Sequence, residues 1–134
     1  LHFSWLLLDS CSPIVTYTFR SNVSKIVYYI KHDINCQSHN VIYLLYCNLC
    51  NIQYVGQTSQ TLNKRIQQHR SDISLNKDTT VGSHFNTTGH NVSNVRVIGI
   101  QLAHGNNTSV RLATESTWIA ELITTVPCGL NNRE

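Results

Sequence analysis

Methionine is missing from this chain altogether, so no initiator residue heads it, and the expectation is a piece of a longer reading frame. Charge is scarce too: 13% of residues are charged against 41% hydrophobic, which excludes a disordered, self-repelling chain and leaves enough apolar mass for a core. No segment supplies the ~18 apolar residues that cross a bilayer, so no membrane partner is expected. The apolar start, Leu1 to Leu8, is too short to span and lacks the basic residues that open a signal peptide. Internal repeats and low-complexity tracts are absent. A length of 134 residues suits one domain with one core, and a second catalytic domain does not fit.

The most informative absence is of acid. Between Asp33 and Asp72 there is no aspartate or glutamate, while Lys64, Arg65, Arg70, His39 and His69 all fall in that stretch. A net charge of +3 says little, but this distribution makes the region the most electropositive surface the chain can offer. It suits a polyanion, with Lys64 and Arg70 as candidate nucleic-acid contacts; a solvated helix face explains the same charges equally well. The five cysteines, Cys11, Cys36, Cys47, Cys50 and Cys128, are odd in number and include a C-x-x-C pair. That pattern belongs to metal or redox chemistry in a reducing compartment, so a nuclear or intracellular location is expected. The N-x-S/T triplets at Asn22, Asn86, Asn91, Asn106 and Asn107 read as chance in a chain rich in Asn, Ser and Thr.

Val, Ile and Tyr content predicts strands over Lys25 to Ile30, Val41 to Tyr46 and Ile52 to Gly56, the last two forming a hairpin closed by Cys47-Asn48-Leu49-Cys50-Asn51. Gly56 should close its strand before Thr58 or Ser59 caps a helix that runs to about Ile73 on a stripe of Leu62, Ile66 and Ile73. A short helix from Thr79 to His90 ended by Gly89, a strand from Val95 to Leu102 and a helix from Thr108 to Thr124 complete the pattern, with Pro127 and Gly129 as stops. Alternating strands and helices of this kind predict an α+β fold, a small antiparallel sheet with helices packed on it. Lys25 to Ile30 could add an edge strand. Residues 1 to 35 are expected to be an N-terminal extension or part of a linker, and residues 36 to 134 the folded domain.

Glu115 is the most anomalous position, because it falls at three and four residue spacings inside a stripe of Leu112, Ile119 and Leu122. Burying an unpaired carboxylate costs several kcal/mol, so Glu115 should be paired, neutral, near a cleft or bound to a cation such as Mg²⁺ or Mn²⁺. A salt bridge to Arg65, Arg96 or Arg111 is the plainer explanation. Arg65 and His69 lie four apart and share a helix face. A guanidinium can stabilise a phosphorane-like transition state and an imidazole can relay a proton, although such a pair is also common on surfaces. Tyr43 and Tyr54 could present hydroxyls on one face of the hairpin, and two such tyrosines are ordinarily packing. A phenol acts as a base only when a cation or metal-bound water lowers its pKa of ~10.

Taken together these residues resemble the GIY-YIG endonuclease family, with Val41-Ile42-Tyr43 in place of the first tripeptide and Tyr54-Val55-Gly56 in place of the second. The resemblance implies a small three-stranded antiparallel sheet flanked by helices and a metal-dependent DNA endonuclease that hydrolyses phosphodiester bonds. It puts Arg65 on the catalytic arginine, His69 on a frequent histidine one turn later, Glu115 on the Mg²⁺ or Mn²⁺ ligand and Asn131, in Gly129-Leu130-Asn131, on a late active-site asparagine. Tyr43 would act as general base or its relay, tuned by His69, and Tyr54 would position. The stretch from Cys36 to Asn131, roughly seventy per cent of the chain, most resembles the endonuclease domain of Penelope-like retroelements. It does so in Tyr54-Val55-Gly56-Gln57-Thr58, in His84-Phe85 before His90, and in Thr117-Trp118-Ile119.

Such elements imply a C-C-H-H zinc set, here Cys47, Cys50, His84 and His90, in which zinc would fasten the hairpin loop to the middle helix. A 33-residue gap separates Cys50 from His84, and Cys36, His39 or no metal at all stay open. The retroelement setting implies DNA as partner and a reverse transcriptase domain in the full-length protein. The departures are Val41 in place of the leading glycine, and Thr114 before the glutamate where an arginine is frequent. A catalytically silent nucleic-acid-binding or zinc-organised interaction module, and a host repair nuclease of the same fold, are the alternatives.

Overall fold

The computed structural model describes residues 17–103 and 105–132, together with the strand backbone of residues 3–6 and 14–15. In chain order its elements are β1 (Phe3–Leu6), β2 (Ile14–Val15), β3 (Thr18–Arg20), β4 (Val27–Tyr29), β5 (His39–Cys47), β6 (Gln53–Thr61), α1 (Leu62–Ser74), α2 (Thr80–Phe85), a 3-10 turn at Val92–Asn94, β7 (Val95–Leu102) and α3 (Thr108–Leu122). The main sheet has the order β2-β1-β7-β5-β6, antiparallel throughout. Its centre, β7-β5-β6 with helices on its faces, is the expected α+β arrangement, and β1 and β2 extend it beyond β7.

The central strand explains the layering. Val41 to Leu45 are all 1% exposed or less, because β5 is paired on both edges and covered on both faces. Alternation then divides its side chains. Val41, Tyr43, Leu45 and Cys47 pack with Leu62, Ile66 and Ile73 of α1 and with Val81 and Phe85 of α2. Ile42 and Leu44 point the other way, to Phe19, Ile30, Ile98 and Leu122.

Several boundaries differ from the sequence expectation. Gly56 does not close its strand: pairing with β5 carries β6 on to Thr61, and Thr61, not Thr58 or Ser59, caps α1 by accepting from the Lys64 N–H. The middle helix stops at Phe85 instead of reaching His90, since Asn86 turns its side chain back onto the Gly82 and Ile73 carbonyls, and Gly89, at φ +86°, serves the turn that follows. Residues 27–29 do not join the main sheet but pair with β3 in a separate ribbon. Phe19, Ile30 and Ile34 are buried, so the described part of the N-terminal segment packs on the core. Cys11 and the apolar run Leu1 to Leu8 lie outside the described side chains.

Tyr43 sits opposite a glycine on each neighbouring strand, Gly56 of β6 and Gly99 of β7. A Cβ at Gly56 would lie 2.3 Å from the Tyr43 ring and hydroxyl, and a Cβ at Gly99 would lie 2.4 Å from Ile34. The first glycine makes room for the ring and the second for its neighbour in the same buried cluster. Gly56→Ala is therefore expected to destabilise the fold by about 1–3 kcal/mol, the usual range for overpacking a closed core. Urea unfolding checks this, and an unchanged midpoint would mean that the ring has slack here.

Candidate active site and a cysteine and histidine cluster

Because Tyr43 faces Gly56, and Tyr54 lies two residues before Gly56 on the same face, the two tyrosines are diagonal neighbours with ring centroids 6.4 Å apart. α1 crosses this face. Its buried stripe of Leu62, Ile66, His69 and Ile73 brings the His69 ring to 5.7 Å from each tyrosine ring, roughly edge-on. The Tyr43 hydroxyl lies 2.6 Å from His69 Nε2. Burial first, and the Arg65 charge second, push His69 down to about 3, so its imidazole is neutral, and with the proton on Nδ1 its Nε2 accepts from the Tyr43 hydroxyl. Burial raises Tyr43 far above the phenol range, with Tyr54 adding to the shift and Arg65 opposing it. Tyr54 is raised for the same leading reason, with Arg65 lowering it and Glu115 raising it. Burial works against the charge of Arg65, but its interactions with both tyrosine hydroxyls prevail and hold it above its usual value.

Glu115 is half-buried on α3 and close enough to act electrostatically on both tyrosines, so α3 brings it to the same site as Arg65. The stripe that was to contain it needs correcting. Leu112 is 43% exposed, and the helix turns Arg111, Glu115, Trp118 and Leu122 inward instead, at spacings of four, three and four. The two charged members stand at one end of that stripe and the two apolar ones pack in the core. Arg111, in sequence only a possible partner for Glu115, has partners of its own. In the structure it is 6% exposed, donates from Nε to Gln57 Oε1 at 2.5 Å, and reaches Asn40 Oδ1 at 3.3 Å from Nη1. An arginine one turn before the anomalous glutamate was the signal available for it.

Asn131 is brought to the same hairpin, but in a bracing position. Its Oδ1 accepts from the Val55 N–H at 2.8 Å and from the Thr124 hydroxyl at 2.7 Å, and its Nδ2 donates to the Val55 carbonyl at 2.8 Å. An amide engaged with the backbone between Tyr54 and Gly56 positions the strand. Lys64 is exposed and Arg70 half-buried on α1.

A second group forms at the far end of the hairpin. Cys47, Cys50, His84 and His90 offer ligand atoms that all lie within 4.8 Å of one another. Cys50 Sγ is 3.5 Å from His84 Nε2, and the His84 and His90 rings are 4.5 Å apart. Burial, and then the neighbouring His90, lower His84. The turn through Gly89 folds His90 back against His84. Both ring nitrogens of His90 are buried without a hydrogen-bond partner, an expense that a bound ion would remove. The set of two thiols and two imidazoles is what tetrahedral zinc prefers. His39 is outside the group, and Cys36 is disulfide-bonded.

The fold and this site define an α+β domain whose tyrosines, arginine, histidine and glutamate converge on one hairpin. The sequence pattern of the GIY-YIG catalytic domain matches residues 39–124, and the chain belongs to that family. The fold is similar to a solved structure titled the catalytic domain of the homing endonuclease I-TevI, with a TM-score of 0.58, 22% identity, and coverage of 70% of this chain and 98% of that one. No curated protein matches.

The depressed His69 value makes a stability prediction. Its folded value, about 3, lies below the unfolded value of about 6.5, so its contribution is present above pH ~6.5 and is lost as the pH falls toward 3. Urea unfolding of the protein across that window should show a loss on the order of a few kcal/mol. His69→Gln, which keeps an acceptor for Tyr43 but does not titrate, should flatten the slope; parallel pH profiles for the two proteins would rule the assignment out.

Proposed function

We propose that the domain is a metal-dependent DNA endonuclease that hydrolyses phosphodiester bonds, and that it nicks target DNA for a Penelope-like retroelement. The observation that carries the reading is the convergence of Arg65 and His69 from α1, both tyrosines from the hairpin, and Glu115 from α3 on one site. A half-buried carboxylate beside neutral hydroxyls fits Mg²⁺ or Mn²⁺, which asks for one or two carboxylates with water and substrate phosphate. When bound at Glu115, such an ion supplies Lewis-acid charge at the phosphate.

Arg65 stabilises the negative charge that builds on the phosphate oxygens, and its fixed charge beside two phenols suits it to that task. Tyr54, less buried than Tyr43, positions the phosphate group. Tyr43 acts as a relay: its hydroxyl takes the proton of the attacking water as it releases its own toward Nε2 of His69, 2.6 Å away, so that no free tyrosinate forms. Lys64 and Arg70 extend the positive face of α1 along the DNA backbone. In a retroelement the nick frees a 3′ hydroxyl that primes a reverse transcriptase carried elsewhere in the full-length protein.

The retroelement assignment leans on the C-C-H-H group, which we read as a structural zinc site tying the β5-β6 loop to the segment from His84 to His90. That group also favours a second reading, a zinc-organised interaction module without catalysis. A nuclear or intracellular setting suits the free thiols of Cys47 and Cys50, and it would open the disulfide at Cys36.

Incubation with supercoiled plasmid and Mg²⁺ separates the two readings. The intact protein should nick, and Arg65→Ala and Glu115→Ala should each lower the rate by about 100-fold or more. No nicking by the intact protein, or equal nicking by both variants, defeats the catalytic reading. For zinc, metal analysis after purification under reducing conditions should find about one ion per chain, lost in Cys50→Ser together with thermal stability. Metal-free protein with unchanged thermal stability would remove the zinc site.

A further inference from the structure

The ribbon β3-β4 belongs neither to the main sheet nor to the site described above, and its outer face is unusual. Register pairs Thr18 with Tyr29, Phe19 with Tyr28 and Arg20 with Val27. Alternation sends Phe19 and Tyr28 inward, where they stack on each other with centroids 5.6 Å apart and each meets Trp118 of α3 at 5.3 Å. Further bonds fix the turn: Ser21 Oγ donates to the Leu122 carbonyl at 2.8 Å, and Gln53 joins the backbone of Arg20 and Asn22 at 2.7 and 3.0 Å. The ribbon is therefore a rigid platform.

The other side of that alternation presents Thr18, Arg20, Val27 and Tyr29 to solvent, with Val27 49% and Tyr29 73% exposed. A two-stranded ribbon needs no aromatic on its solvent face. The chain that forms the ribbon carries charge of one sign. Between Asp9 and Asp33 the chain has no acidic residue but carries Arg20, Lys25 and Lys31. Beside the ribbon a groove of about 510 Å³ separates it from the main sheet, lined by Arg20 and Lys25 together with the polar side chains of Asn22, Asn51 and Gln53. Glu121, the acidic neighbour from α3, is turned to the inner side and accepts from the Tyr28 hydroxyl at 2.8 Å.

We propose that this ribbon binds a single strand of nucleic acid, with an unpaired base stacked on Tyr29 and phosphates held by Arg20 and Lys25. An exposed ring offers a stacking face to an unpaired base, and Arg20 and Lys25, toward the turn end of the same ribbon, can meet the phosphates of that strand. An apolar protein segment covering Tyr29 and Val27 would leave these cations unmatched. The choice of nucleic acid as ligand rests on the reading of the domain as a DNA nuclease, but the surface lies on the opposite face of the sheet from Tyr43 and His69 and can be tested apart from it.

The test is fluorescence anisotropy of a labelled oligothymidine of about 15 nucleotides with the whole chain, in buffer without added Mg²⁺ or Mn²⁺ and without chelator, the oligonucleotide being checked for intactness afterwards. Tyr29→Ala should weaken binding about tenfold and Tyr29→Phe less than about twofold, since the phenyl face is what stacks. The double variant Arg20→Ala with Lys25→Ala should reduce the slope of log affinity on log salt by about 1.4, or 0.7 per lost phosphate contact. Binding by Tyr29→Ala within twofold of the unmodified chain, or an unchanged salt slope in the double variant, overturns the proposal and passes the surface to a protein partner. A chain that binds the oligonucleotide as expected but nicks no plasmid defeats the nuclease reading alone. A chain that nicks while Tyr29→Ala binds normally defeats this one alone.

Discussion

The close approach of the Tyr43 ring to the backbone of Gly56 is the constraint on which the site depends. With the ring seated there, the register of β5 against β6 is fixed, and Tyr54 must stand diagonally beside Tyr43 on the same face. A slip of one residue would turn Tyr43 toward Phe19 and Leu122 and present Ile42 to His69, destroying the hydrogen bond and the core on both sides. The second tripeptide thus requires its glycine for a steric reason, since any side chain at that position would take the space of the phenol. The leading residue of the first tripeptide is under no such demand: Val41 is simply a buried β-branched residue on a central strand.

Once the ring is placed, burial and one fixed charge decide the protonation states. Desolvation disfavours both a tyrosinate and an imidazolium, so Tyr43 keeps its proton and His69 stays neutral beside it. Arg65 acts in the same direction on His69 and in the opposite one on the tyrosines, and for Tyr43 burial is the larger influence. The outcome is a neutral donor and acceptor pair under a permanent positive charge. A neutral hydrogen-bonded pair and a fixed cation are neighbours here without neutralising each other.

The parts of this arrangement that were legible in the sequence are those carried by local spacing. Leu62, Ile66 and Ile73 announced α1 and with it the shared face of Arg65 and His69, while three hydroxyl residues between Thr58 and Thr61 left its start ambiguous until pairing with β5 chose Thr61. Glu115 stood out as a carboxylate among apolar positions, yet the face assigned to it was drawn through Leu112, which lies in solvent; hydrophobicity alone could not show that an arginine, Arg111, takes the buried place. Two features were not carried by local spacing. The meeting of Cys47 and Cys50 with His84 and His90 was implied by the family resemblance alone, since more than thirty residues separate the two pairs. The partner of Val27–Tyr29 is a strand of three residues, too short to show a period.

The position of β6 at the edge of the sheet completes the chemical logic. An edge strand exposes backbone donors and acceptors that invite another strand, and this one is closed sparingly. The Leu130 N–H donates to the Gln53 carbonyl, and the Asn131 amide imitates a peptide unit against both backbone groups of Val55. Beyond that point Arg111 takes the side chain of Gln57. A full strand laid along β6 would satisfy the same groups, but it would also wall off this border between the two faces of the sheet. α1 brings Arg65 and His69 from one face and α3 brings Glu115 from the other, so the three side chains come together past this edge. Asn131 pairs both backbone groups of Val55 with one side chain, and together with the Leu130 N–H it closes a short length of the edge.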